Sequence, residues 1–235
     1  MKAYVSLWSA DLLALGAAVD QLSDVVDGFH LDVFDGHNVR DLLFGPAHVA
    51  ALRSRTAAVL DVHLNVTDPD YWVDRFAEAG ADMITVQSGP CPDVGATLAR
   101  IRDHGCRVSL GLEVGEPVSQ AVPFLPEVDR LLLMGTVIGV KGYDQDPATA
   151  GRVGELVSGR HGEPGPDVVV DGGIRRHTVP GLAAAGADGV VPGSLIFGDP
   201  DPRRAVAEIH ALRPGGEPVQ RSQFWTAGAP SWRRP

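Results

Sequence analysis

The chain has 235 residues, 44% of them hydrophobic, and a formal net charge of -10 at pH 7. That length supports a substantial core, and the acidic balance argues against a general nucleic-acid or anionic-membrane surface while leaving a small anionic ligand open. The two cysteines, Cys91 and Cys106, sit in no disulfide framework or metal spacing, so a reducing, cytoplasmic setting is expected.

The opening stretch "MKAYVSLWSADLLALGAAVD" places Lys2 before an apolar run, but Asp11 and Asp20 interrupt it. No stretch is long and apolar enough to suggest a membrane span. From there short β-rich runs alternate with helical patterns. "AYVSLW" leads to "LLALGAAVDQL", "GFHLDV" to "PAHVAALRSR", and "AVLDVHL" to "PDYWVDRFAEAGA". "MITVQ" leads to "DVGATLARIRDHG", "RVSLGL" to "PVSQAVPFL", and "RLLLM" to "PATAGRVGELVSGR". "DVVVD" then leads to "HTVPGLAAAGA", and "DGVVPG" closes the series. Apolar residues in the helical segments recur at three and four, and several segments stop at a glycine, such as Gly80, Gly105 and Gly186. Eight strand candidates alternating with helical segments predict an α/β fold of the (β/α)8 (TIM) barrel class, a single domain over residues 1–213. The remainder, 214–235, is rich in Gly, Pro and polar residues and reads as a tail, with Trp225 and Trp232 as candidate anchors onto the barrel or a neighbour.

In that fold function sits at the C-terminal ends of the strands. Residues two apart in a strand share a face, so in "GFHLDVFDG" His30 and Asp32 project together, away from Leu31 and Val33. A buried carboxylate is costly unless paired, hydrogen-bonded or bound to a metal. The pair is therefore either a self-satisfied structural contact or part of a site. "LDVHL" adds Asp61 and His63 on one face, with His63 nearer the C-terminal end, and "DVVVD" ends at Asp171. His30, Asp32, His63 and Asp171, brought to one barrel mouth from three strands, make a divalent-cation site. The absence of a thiolate suits Zn, Mn, Fe(II) or Co and leaves the ion's identity open.

A second group follows the last two strands. "VDGGI" puts Gly172 and Gly173 after Asp171, and "VPGSLIFGD" supplies Gly193 and Ser194. Loops at these two places in such barrels bind phosphate through backbone amides, and glycine lets the backbone approach. The loop "MGTVIGVKGYDQD" is long and punctuated by glycine, so Gly139, Lys141 and Gly142 are candidates for a segment that closes over a ligand.

Taken together, "VSLWSADL", "FHLDVFDGH", "LDVHL", "VVDGGI" and "VPGSLIFG", in this order across most of residues 3–198, resemble the ribulose-phosphate 3-epimerases. The resemblance implies that His30, Asp32, His63 and Asp171 hold a metal and that Asp32 and Asp171 also form the acid–base pair. It implies that Ser6 contacts substrate, that Gly172, Gly173, Gly193 and Ser194 bind its phosphate, and that residues 139–142 close the site. The chain departs from the family pattern at "DGHNVRD", where Arg40 and Asp41 replace Pro and Asn. It departs again at Asn65, at Gln87 in place of a histidine, at Glu113 in "LEVGEP", and at Lys141 in "VIGVKGY". Asn65, Gln87, Glu113 and Lys141 are expected to face the sugar.

The activity so implied is 3-epimerisation of a ketose phosphate through an enediolate, D-ribulose 5-phosphate and D-xylulose 5-phosphate being the first pair to consider. A ketohexose or ketotetrose phosphate is the alternative, and a non-catalytic sugar-phosphate-binding barrel a further one. A related decarboxylase or aldol-type synthase would carry a lysine in a D-x-K-x-x-D run, where this chain has Asp61-Val62-His63. The expected partner is a small sugar phosphate, with no nucleic acid and no membrane; a homo-oligomer stays open.

Overall fold

The structure, a computed structural model, describes residues 1–159 and 165–215. The first strand, β1 (Lys2–Ser6), runs into a single 3-10 turn, Leu7–Ser9, and then α1 (Leu15–Leu22). β2 (Gly28–Asp35) is followed by β3 (Leu42–Leu43), a two-residue antiparallel addition at its end, and α2 (Pro46–Arg53). β4 (Val59–Asn65), α3 (Pro69–Glu78), β5 (Met83–Gln87), α4 (Val94–Asp103) and β6 (Arg107–Leu112) continue the alternation. After β7 (Arg130–Met134) come α5 (Thr149–Gly159), β8 (Asp167–Asp171), α6 (Val179–Ala184), β9 (Gly189–Val191), α7 (Ser194–Phe197) and α8 (Pro202–His210).

Leaving β3 aside, neighbouring strands pair in parallel in the order β1-β2-β4-β5-β6-β7-β8-β9, and β9 returns to β1. The eight strands therefore close into the expected (β/α)8 barrel. Local chemistry sets the helix starts: Asp68, Asp93 and Asp201 each accept a bond from a backbone N–H three residues on, and prolines 69 and 202 open α3 and α8. α3, α4 and α6 end two residues before Gly80, Gly105 and Gly186, as the spacing predicts.

One segment differs. "PVSQAVPFL" was expected as the fifth helix, but Val118–Glu127 forms 3-10 turns. Pro123 and Pro126 lie inside it, and each removes an N–H donor and clashes with the preceding turn, so a regular α-helix cannot propagate. The tail beyond residue 215, with Trp225 and Trp232, lies outside the described residues. Among the described residues, no helix is long and apolar enough to cross a membrane.

The outward faces of the strands, with Val5, Leu31, Val62, Ile84 and Val108, form the main core against the helices. The barrel interior is divided. Tyr4, Leu132, Met134, Val169 and Val191 form a small apolar cluster from β1 and β7–β9. The side formed by β2 and β4–β6 carries His30, Asp32, Asp61, His63, Thr85, Gln87 and Ser109, all buried. That asymmetry places the polar groups.

Candidate active site

Register aligns the candidates. Ser6 on β1 pairs with His30 on β2, and Asp32 pairs with His63 on β4. Asp171, the last residue of β8, lies beside Met134. One ligand atom from each of His30, Asp32, His63 and Asp171 falls within 4.8 Å of all the others. His30 Nε2 is 3.4 Å from Asp32 Oδ1 and 3.6 Å from Asp171 Oδ2. His63 Nδ1 is 3.3 Å and 3.9 Å from the same two oxygens.

These residues fit a cation on an observation independent of their type. His30 Nε2 and His63 Nδ1 are buried and have no hydrogen-bond partner, although both face the two carboxylates. A buried nitrogen left unpaired costs about 1–3 kcal/mol, and an ion among these four atoms would remove that cost. The far side of each ring is anchored. His30 Nδ1 is 2.7 Å from Asp61 Oδ2, and His63 Nε2 is 2.7 Å from the Gln87 amide. A carboxylate only accepts, so His30 donates from Nδ1, which leaves Nε2 as the atom able to offer a lone pair to a bound cation. For His63 the same outcome needs the Gln87 carbonyl oxygen toward the ring, an amide orientation that geometry leaves free to choose. Zn, Mn, Fe(II) and Co all accept such a nitrogen–oxygen set.

The electrostatics separate the two carboxylates. Burial and the nearby charge of Asp32 push Asp171 well above the ordinary carboxylate range. Asp32 is also buried, but the charge of His30, with His63 beside it, overcomes that and holds it low. Burial lowers His63, whereas in His30 the neighbouring Asp61 and Asp32 outweigh burial and raise it. The two carboxylates are thus shifted in opposite directions, Asp171 up and Asp32 down, as groups that play different roles in one site are.

Above the cluster a cavity of about 180 Å³ is lined by Ser6, Asp32, Asp171, Gly172, Gly173, Gly193, Ser194, Gly139, Lys141 and Gly142. The acid–base candidates Asp32 and Asp171, the proposed substrate and phosphate contacts and the loop candidates read from the sequence therefore meet in one space, while His30 and His63 are buried and absent from its wall. Ser6 Oγ is 3.4 Å from Asp32 Oδ2. Gly172 and Gly173 have φ of +91° and +66°, and a Cβ at 173 would lie 2.6 Å from the Gln145 backbone. Only glycine fits both the turn and the contact. Lys141 Nζ donates to the Trp8 carbonyl at 2.6 Å and lies 4.3 Å from the Trp8 ring centroid, so the loop after β7 reaches the 3-10 turn that follows β1.

The altered residues are distributed differently from expectation. Lys141 lines the cavity, but Gln87 and Asn65 are buried and absent from its wall; Gln87 serves His63, and Asn65 bonds the His63 carbonyl at 3.4 Å. Glu113 faces a neighbouring hollow with Arg40 and Asp41. Strand-end position alone did not tell wall from support. Three participants escaped the sequence reading: Trp8, Arg175, which lines the cavity beyond Gly173, and Arg130, which pairs with Asp61. An arginine opening the apolar run "RLLLM" was the one available signal for the last.

Residues 2–197 match the ribulose-phosphate 3 epimerase family. The chain is 33% identical over 219 residues to ribulose-phosphate 3-epimerase of Bacillus subtilis, covering 91% of this chain and 100% of that protein. It is 36% identical over 218 residues to ribulose-phosphate 3-epimerase of Escherichia coli strain K12, with 90% and 96% covered. Among solved structures, 3-hexulose-6-phosphate synthase from Salmonella typhimurium superposes with a TM-score of 0.64 over 89% of this chain and 98% of that one. At 21% identity that likeness speaks to the fold alone.

Proposed function

The chain belongs to the ribulose-phosphate 3-epimerase family, and from that premise we propose that it is a cation-dependent 3-epimerase of a ketose phosphate, interconverting D-ribulose 5-phosphate and D-xylulose 5-phosphate. The observation that carries this reading is the meeting of Asp32, Asp171 and the two glycine turns in one cavity, above two unpartnered histidine nitrogens.

In a 2-ketose phosphate the C3 proton is acidified by the adjacent C2 carbonyl. His30, Asp32, His63 and Asp171 would hold a divalent cation, whose positive charge would lower the cost of the enediolate. Asp32 takes or returns the C3 proton from one face and Asp171 does so from the other, because a single base tends to return the proton to the side it came from. Backbone groups at Gly172, Gly173, Gly193 and Ser194, with Ser6, hold the phosphate and hydroxyl ends, so the reacting carbon is presented in one orientation. Lys141, with Gly139 and Gly142, covers the site from the loop after β7 and keeps water from the enediolate.

Incubating the protein with D-ribulose 5-phosphate in deuterated water and following C3 by NMR tests the proposal. Deuterium at C3 together with new xylulose 5-phosphate is the expected result. No exchange with any added divalent cation overturns it. The lysine in the cavity wall favours a second reading of the same chemistry, in which another ketose phosphate is the better substrate.

A further inference from the structure

We infer that Arg130 is a positioning residue for the cation site, fixing through Asp61 which nitrogen of His30 faces the four-residue cluster. The inference rests on the reading of His30, Asp32, His63 and Asp171 as a cation site. Arg130 opens β7 and is 0% exposed. A guanidinium inside a barrel costs several kcal/mol unless its charge and its donors are matched. Here the match crosses the barrel interior to β4: Nη1 donates to Asp61 Oδ2 at 2.7 Å and Nη2 to Asp61 Oδ1 at 2.5 Å.

The fork itself is pinned from three other strands. Nη2 also donates to Thr85 Oγ1 at 2.8 Å, and Nε to Ser109 Oγ at 3.0 Å. The guanidinium carbon lies 5.2 Å from the Tyr4 ring centroid. Two parallel bonds to one carboxylate fix its plane as well as its position. Asp61 therefore cannot turn about its own bond, and Oδ2 is held where His30 Nδ1 meets it at 2.7 Å. His30 is thus locked as the tautomer that donates from Nδ1, and its unpartnered Nε2 is aimed between Asp32 and Asp171.

Arg130 also cancels the charge of Asp61. The cluster then presents two carboxylates, Asp32 and Asp171, to a divalent ion, and the buried charges balance.

The sign of one measurement separates positioning from a plain charge effect. Removing a positive charge near a cation site by itself strengthens cation binding. Losing the orientation of a ligand weakens it, by ten- to a hundredfold for partners one step behind the ligands. Metal-free wild type, Arg130→Met, Arg130→Lys, Asp61→Asn and the Arg130→Met/Asp61→Asn pair are titrated with Co(II). Affinity and the visible absorption of the bound ion are recorded, with far-UV circular dichroism and thermal melting as the fold check.

Arg130→Met is expected to bind Co(II) ten- to a hundredfold more weakly with an altered visible spectrum, and to add little once Asp61 is already Asn. Arg130→Lys, which keeps the charge but not the paired bonds, is expected to fall between it and wild type, and carries the test if Arg130→Met does not fold. Wild-type affinity and spectrum in the folded variants, or tighter binding, overturns the inference. A wild-type protein that takes up no Co(II) overturns the cation site itself, a result distinct from the first.

Discussion

Gly111 leaves the space that the Gln87 amide occupies: a Cβ at position 111 would lie 2.3 Å from Gln87 Nε2, closer than any real contact. The two residues are register partners on β6 and β5, and Gln87 in turn meets His63 at 2.7 Å. A missing side chain on one strand thus supports a ligand two strands away. Gly111→Ala is expected to displace Gln87 and weaken cation binding about tenfold although it alters no polar atom, and Gln87→Leu to do the same. Titration of the metal-free variants with Zn or Co(II) checks both, and unchanged affinity would show that His63 orients itself.

Asp171→Asn is expected to abolish turnover and leave the fold intact. Asparagine keeps the shape, carries no exchangeable acid, and relieves the repulsion with Asp32 that raises Asp171. Acid–base groups usually contribute a hundredfold or more to the rate. The metal-free variant should melt no earlier than wild type while kcat falls at least about a hundredfold. A variant that keeps more than about a tenth of the rate rules out the two-carboxylate mechanism.

Lys141 is tied to Trp8 by a backbone carbonyl and a ring face, neither of which neutralises its charge. Lys141→Gly should raise KM for the phosphorylated substrate about tenfold and change kcat less, the mark of a binding rather than a transition-state contact. The ratio of kcat/KM among pentulose, hexulose and tetrulose phosphates is expected to shift in the variant. If ribulose 5-phosphate leads by about a hundredfold in both proteins, roughly 2.7 kcal/mol, the lysine does not select the substrate.

Asp35, at the end of β2, accepts the backbone N–H groups of His37, Asn38 and Thr67 and the Thr67 hydroxyl. Its partial burial opposes ionisation, but these four donors outweigh it and hold the carboxyl at about 2. The folded value lies below the unfolded one, so the stability it contributes is present above about pH 4 and is lost as pH falls toward 2. Asp35→Ala should lower the unfolding free energy near neutrality by about 1–2 kcal/mol. It should also flatten the fall in stability between pH 4 and pH 2. Urea unfolding of both proteins across that range decides it, and parallel curves would place the acid sensitivity elsewhere.

The sequence by itself determined the alternation of strand and helix, because apolar periodicity and terminal glycines act locally, and hence the fold class to expect. It also determined the chemical set, since "FHLDV", "LDVHL" and "VVDGG" place their polar residues at strand ends where this fold exposes a mouth. What it could not settle depends on contacts across the barrel. Asn65, Gln87 and Glu113 share strand-end positions with true wall residues, yet Gln87 and Asn65 lie behind His63 and Glu113 faces another hollow. Arg130 and Asp61 are 69 positions apart, and only closure of the sheet brings their side chains together across the interior. Local propensity decides which residues lie on a strand and which way they point. Which side chains then meet inside the barrel is decided by strand register and closure, and no window of sequence contains either.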